Sequence, residues 1–207
     1  MKTTLILASM IILCSNPAIH AFNGVSAGIG MEYIPIAKLS YPNRRGAEYE
    51  IVDNVTWEPG VYYNFSTGFR TGTFFSLYNK TFESVGAEPR SRLSSWGFGL
   101  LGDYAYEMTD SGRSLLIAGM EIGYGEFTYD NQNAKRTSGS VWIAGIGGLR
   151  YYFTPGLSME FDYRIKWHQY DLTGTPAKTY DFSGSTIRIS MSYGFYSPGG
   201  KGDNSRP

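Results

Sequence analysis

The chain has 207 residues with 18 Lys+Arg against 18 Asp+Glu, 26 Gly, 17 Tyr, a single Cys and a mean hydropathy of −0.24. Balanced charge offers no electrostatic handle for nucleic acid, and one cysteine excludes a disulfide framework. Beyond the first residues no apolar run approaches the roughly 20 residues of a membrane-spanning helix, which excludes a helical membrane protein.

The chain opens on Met1-Lys2, an apolar run Leu5–Leu13 and Ala18-Ile19-His20-Ala21. One cation, a short apolar core and a small residue at the cut form the signature of a secretory signal peptide, here residues 1–21. Lipoprotein processing at Cys14 is disfavoured by the bulky Ile12-Leu13 before it. Cleavage after Ala21 removes the only cysteine and one lysine, leaving 186 residues of net charge −1 with no thiol nucleophile.

Eight strands follow, read from apolar and polar residues alternating with period 2. The first, 24–34, sets Tyr33 opposite Glu32. A long polar connection centred on 41–54 leads to the second, 55–66, with Trp57, Tyr63 and Phe65 on one face and Glu58 on the other. The third, 69–80, carries Arg70 and is ambiguous, because Phe74 and Phe75 claim opposite faces. In the fourth, 93–108, Trp96, Phe98, Leu100, Tyr104 and Tyr106 oppose Asp103 and Glu107. The fifth, 114–127, sets Leu116, Met120, Ile122 and Tyr124 against Glu121. The sixth, 139–154, sets Val141, Ile143, Leu149, Tyr151 and Phe153 against Arg150, with Trp142 anomalous on the polar side.

The seventh, 157–170, is the clearest. Leu157, Met159, Phe161, Tyr163, Ile165 and Trp167 take one face; Ser158, Glu160, Asp162, Arg164, Lys166 and His168 take the other. The eighth, 183–195, opposes Ile187, Ile189, Met191, Tyr193 and Phe195 to Arg188. The remainder, 196–207, is Gly/Pro-rich and polar and is expected to be a disordered periplasmic tail.

A wide aromatic face behind an export signal suits strands with lipid outside and a polar barrel interior. Connections sort accordingly. Long segments 41–54, 81–92, 130–138 and 171–181 alternate with short turns at 66–68, 109–112 and 154–156, so every long one leaves the same end. Tyr63, Phe65, Tyr104, Tyr106, Tyr151, Phe153, Tyr193 and Phe195 then fall near the periplasmic rim, and Tyr33, Trp57, Trp96, Tyr124 and Trp167 near the outer rim. Two aromatic belts match the two bilayer interfaces. Pro59 lies on the lipid face, where a missing ladder donor calls for a bulge or a position above the membrane.

The final strand, Ser190-Met191-Ser192-Tyr193-Gly194-Phe195, resembles the barrel-assembly signal of bacterial outer-membrane proteins. With the export signal, the strand count and the loop sorting, residues 22–195 resemble the small outer-membrane β-barrel superfamily. Its members include the OmpA transmembrane domain, the opacity and OmpX-type surface proteins and the OmpW-like proteins. One departure is that a 12-residue tail follows Phe195. The resemblance implies an all-β, eight-stranded antiparallel transmembrane β-barrel with four long outer loops and three short periplasmic turns. It implies a bacterial outer-membrane location with periplasmic termini, insertion by the barrel-assembly machinery, and contact with outer-membrane lipid and lipopolysaccharide. Such relatives serve as adhesins, structural proteins, narrow porins and lipid-modifying enzymes.

The inward acids Glu32, Glu58, Asp103, Glu107, Glu121, Glu160 and Asp162 face the inward bases Arg70, Arg150, Arg164, Lys166 and Arg188. Eight strands enclose a space that side chains fill, so a mutually neutralising network is favoured over an ion path. Glu160 and Asp162 have a spacing that suits glycosidase carboxylates, but Arg164 and Lys166 beside them favour ion pairing. His168, the one histidine outside the signal, lacks a serine beside it in the strand for acyl transfer. No cofactor and no metal are expected, with so few His and Cys. The Gly-x-Gly runs open no helix, so they lack a phosphate-cradling context.

The expectation is a monomeric, non-enzymatic surface protein with a structural role or a role in binding an extracellular ligand through its loops. Arg44, Arg45, Lys135 and Arg136 are placed to contact lipopolysaccharide. Two alternatives are a narrow porin or OmpW-like conduit for small solutes, and an outer-leaflet lipid-modifying enzyme resting on His168. A soluble lipocalin-like barrel shares the alternation but predicts neither the loop sorting nor the belts.

Overall fold

The computed structural model describes residues 24–40, 48–82, 91–109, 112–131, 134–154, 156–172 and 178–196. The expected signal peptide, the 197–207 tail and the loop residues Arg44 and Arg45 lie outside the described residues. Ten strands appear: β1 Gly24–Ser40, β2 Glu48–Asn64, β3 Phe69–Phe82, β4 Ser91–Glu107, β5 Ser114–Asn131, β6 Ala134–Thr154, β7 Leu157–Trp167, β8 Gln169–Leu172, β9 Lys178–Asp181 and β10 Gly184–Tyr196. β8 and β9 pair in the same register as β7 and β10, so they prolong those two and the wall has eight staves. All pairings are antiparallel between neighbours, and β10 pairs with β1 from Gly24↔Tyr196 to Tyr33↔Ile187, closing the barrel. Closure gives every wall strand a neighbour on both sides, the arrangement that hydrocarbon imposes on a sheet.

Residues 24 and 196, the outer limits of β1 and β10, define one rim, the terminal end; the other is the loop end. The strands reach further toward the loop end than the alternation suggests. Residues 48–54, 130–131, 134–138, 171–172 and 178–181 are strand. Polar cross-strand pairs continue these ladders; Thr128 and Thr137 share a 3.1 Å hydroxyl contact. A polar stretch of strand therefore reads as loop when polarity alone is followed.

The two faces separate cleanly. Trp57, Tyr63, Phe65, Trp96, Tyr106, Tyr124, Tyr151, Phe153, Trp167, Tyr193, Phe195 and Tyr33 all point outward and are exposed; Tyr104 is half-buried. Rings pair edge-on along the terminal rim, Tyr63 with Phe65 at 4.7 Å and Tyr151 with Phe153 at 5.1 Å. Inside, an apolar plug of Ala105, Leu115 and Ile117 closes the terminal end, charged residues fill the middle, and an aromatic cluster occupies the loop end. The Phe74/Phe75 ambiguity resolves with Phe74 in the lumen and Phe75 outside.

Trp142 is a lumen residue by geometry. Its ring lies flat over β4 and β5 at Gly97 and Gly123, where any Cβ would collide with it; at Gly97 that atom would sit 2.7 Å from Cη2. Pro59 departs from expectation. It lies mid-wall, paired with Ile29 of β1, with no bulge. Lacking an N–H, it instead interrupts the ladder to β3, which is bridged at Gly60↔Phe74 and Trp57↔Leu77 but not between.

Candidate functional site: the lumen and its side opening

Alternation brings side chains from all eight staves into one buried ion network. Near the terminal end, Arg70 donates to Asp103 through Nε at 2.7 Å and to Glu160 through Nη2 at 2.8 Å. Arg150 completes this group, with Nη2 3.0 Å from Asp103 and Nε 3.4 Å from Glu160. Above it, Arg164 lies within 3.5 Å of four carboxylates, those of Glu121, Glu58, Glu32 and Asp162. Lys166 donates to Glu32 at 2.7 Å, and Thr186 adds a hydroxyl bond to the same carboxylate at 2.7 Å. Arg188 joins the two groups, 2.8 Å from Asp162 and 3.7 Å from both Glu160 and Glu58. Every network side chain is at most 5% exposed, so the side chains themselves fill this layer. Charged pairs this dry hold only while each has its partners.

Glu107 stands apart from this network. It has the inward parity, but it lies at the terminal end of β4, and its carboxylate approaches Gly112 of the turn.

Toward the loop end the lumen changes character. Ile34, Tyr78, Leu93, Phe127, Tyr129, Tyr170, Tyr180 and Phe182 form one buried cluster. His168, at the break between β7 and β8, sits beneath it, its ring 5.1 Å from Trp142 and 4.4 Å from Tyr170. Its backbone N–H donates to Ser183 Oγ at 2.9 Å, while its Nε2 is buried without a hydrogen-bond partner. A serine–histidine couple therefore does not form here: the side chain packs as an aromatic. Glu160 and Asp162 are likewise held in ion pairs. Among the described residues no cluster of His, Cys, Asp and Glu is arranged to hold a metal ion.

Between β2 and β3 the wall has a weak place, which alternation alone could not indicate. Beyond Trp57↔Leu77, β2 continues to Glu48 bridged only to β1, and β3 continues to Phe82 bridged only to β4. A crevice of about 690 Å³ opens at this seam, lined by Val55, Trp57, Leu77, Asn79 and Trp96 on the lipid side. Just inside it lies a cavity of about 20 Å³ bordered by Glu32, Thr56, Ser76, Trp142, Lys166 and His168. The two spaces share Tyr78, Ser95 and Trp96, so a thin partition of three residues separates lipid from lumen. The one sequence signal for the seam was Pro59.

The family model for the outer membrane protein beta-barrel domain matches residues 5–195. No curated protein matches the sequence. Among solved structures, the outer membrane protein OprG of Pseudomonas aeruginosa superposes with a TM-score of 0.63 at 14% identity, over 87% of this chain and 100% of its own. Neisserial surface protein A gives 0.57 at 12% identity, over 84% of this chain and 98% of its own. The outer membrane protein AlkL, solved in lipid bilayers, gives 0.55 at 18% identity, over 90% and 98%. At such identities these likenesses speak to the fold alone.

Proposed function

The chain belongs to the outer membrane protein beta-barrel domain family, and from that premise we propose that it is a non-enzymatic outer-membrane protein that takes small apolar molecules in at its outer end and releases them sideways into the membrane between β2 and β3. The observation that carries this reading is the seam itself. A crevice on the lipid face abuts a cavity in the lumen at a stretch where β2 and β3 are unbridged. The dry ion network below gives such a solute no route straight through, so a narrow porin is the poorer reading. The aromatic cluster above it makes the loop end of the lumen apolar, the lining that small-molecule sites favour. Periplasmic termini accompany this reading, placing the loop end outside the cell.

The test is to bridge the seam. Val55 and Asn79 both face outward and flank it, and the only native cysteine is Cys14 in the expected signal peptide. A Val55→Cys/Asn79→Cys variant joined by a short thiol-cleavable cross-linker should lose uptake of a lipophilic dye into cells and regain it on reduction. Uptake that ignores the cross-link would refute the lateral route. Recognition through the outer loops, the other non-enzymatic role, would survive that result.

A further inference from the structure

Above the ion network the wall stops being one continuous ring. β2, β1, β9 and β8 stay laced together to their outer ends, through Ser40↔Glu48, Ser40↔Thr179 and Leu172↔Lys178. β3, β4, β5 and β6 are laced likewise, out to Phe82↔Ser91, Ser91↔Asn131 and Asn131↔Ala134. Between the two groups the bridges end early. β2 and β3 part beyond Trp57↔Leu77. Among the described residues no bridge joins β6 to β7 or β8 beyond Ile143↔Trp167, although β6 runs on beside β8 to Ala134. The loop end is thus two four-stranded sheets facing each other across the lumen, with a seam at either side. Rings hold them together. Tyr78, Leu93, Phe127 and Tyr129 come from one sheet and Ile34, Tyr170 and Tyr180 from the other, with Phe182 just past β9. Phe127 is at the centre, its ring 5.1 Å from Tyr170, 4.6 Å from Tyr180 and 5.5 Å from Phe182. Packed so closely, the cluster blocks the lumen for as long as the sheets stay together.

A line of irregularities crosses the first sheet at its base. His168 interrupts β7–β8, Phe182-Ser183 interrupts β9–β10, and Gly184 has a φ of +136°. The two breaks are pinned to each other, the Phe182 N–H donating to the His168 carbonyl at 2.8 Å and the His168 N–H to Ser183 Oγ at 2.9 Å. Beside them the β1 register shifts by one residue between Tyr33↔Ile187 and Lys38↔Asp181, and Pro35, with no N–H to donate, stands in that stretch. A few residues at the ends of elements, lightly bonded, are where hinges form. We propose that the two sheets part as jaws about this line, one motion clearing the aromatic cluster and widening both seams. Such a motion separates ring faces and breaks no ladder bond between strands. Entry at the outer end and release between β2 and β3 are then a single event. What passes between the jaws rests on the lateral-conduit reading; the motion itself rests on the pairing and the hinge line. Opening stops at Lys166, below which β7 is bridged to both β6 and β10 around the ion network.

Two measurements test the jaws. In lipid nanodiscs, spin labels on Thr128→Cys of β5 and Thr179→Cys of β9 report the separation of the two sheets by pulsed dipolar spectroscopy. The expected result is two distance populations. Phe127→Ala, which loses the ring contacts to Tyr170, Tyr180 and Phe182, should raise the ratio of long to short roughly tenfold. One short distance in the labelled parent and again in the variant would overturn the proposal; Phe127→Leu, which keeps bulk without the ring, takes the place of a variant that does not fold. In cells, Thr137→Cys/Asp171→Cys, both exposed on the outer face and flanking the β6–β8 seam, take a short thiol-cleavable cross-linker. Uptake of the lipophilic dye should be lost and return on reduction, although the β2–β3 seam carries no link. Uptake blocked by the β2–β3 link but indifferent to the β6–β8 link would refute the jaws and leave the lateral route standing. Two distance populations with uptake that ignores both links would uphold the jaws and refute the conduit.

Discussion

Arg164→Met removes a charge while keeping most of the volume, and the geometry says what each carboxylate then loses. Glu32 keeps Lys166 at 2.7 Å, Asp162 keeps Arg188 at 2.8 Å and Glu58 keeps Arg188 at 3.7 Å. Glu121 is left with Lys166 at 3.9 Å as its nearest cation. Because the Arg164 side chain is 0% exposed, water does not replace the lost partner without opening the lumen. Breaking one side of such a buried pair costs about 3–5 kcal/mol. The double variant Arg164→Met/Glu121→Gln restores the match and should recover roughly 1–2 kcal/mol of that loss, the coupling expected of residues in contact. Urea unfolding from phospholipid vesicles, followed by tryptophan emission and by heat-dependent gel mobility, measures both terms. A single variant within about 0.5 kcal/mol of the parent, or a double variant with no recovery, would mean that the network is hydrated and that the lumen is not closed by charge.

Three further predictions follow from the same geometry. Gly123→Ala forces Trp142 off the wall and should cost about 1–3 kcal/mol, with a red shift in the buried tryptophan's emission; an unchanged spectrum would mean that the ring is free to move. Pro59→Val supplies the missing N–H and should add about 1 kcal/mol while lowering lateral dye uptake, and hydrogen exchange at Phe75 shows whether the ladder has closed. In planar bilayers the unaltered protein should show no steady single-channel conductance, whereas Arg70→Ala/Arg150→Ala, which strips the terminal-side cations, should admit intermittent current. A steady open level in the parent would refute a dry lumen.

Much of this architecture is legible in the sequence because lipid enforces a strict period. On β7 a one-residue error would put Arg164 into hydrocarbon, so the pattern from Leu157 to Trp167 leaves no ambiguity. Inward charges could be enumerated for the same reason. Their partners could not: Arg70 meets Glu160 and Lys166 meets Glu32 across a closed barrel, between residues 90 and 134 positions apart, and nothing local encodes that. Where the bilayer ends, its discipline ends too, and the loop-end extensions of β5, β6, β8 and β9 read as loops because polar residues there occupy strand positions. Trp142 looked misplaced because its justification lies on other strands, at Gly97 and Gly123. The seam needed two facts together, the proline and the divergence of β2 from β3, and only the first is written in the chain.

The last stave has a part in more than the wall. β10 brings Arg188, the one residue that touches both halves of the ion network, and Thr186, which binds Glu32 of the first stave. Until β10 zips onto β1, Glu32 lacks both the Lys166 cation of β7 and the Thr186 hydroxyl of β10, so a barrel that has not shut is also a barrel with unbalanced charge inside. Seam closure and neutralisation are thus one event. An assembly intermediate would carry an interior that prefers water to lipid, and only the complete ring could settle into the bilayer.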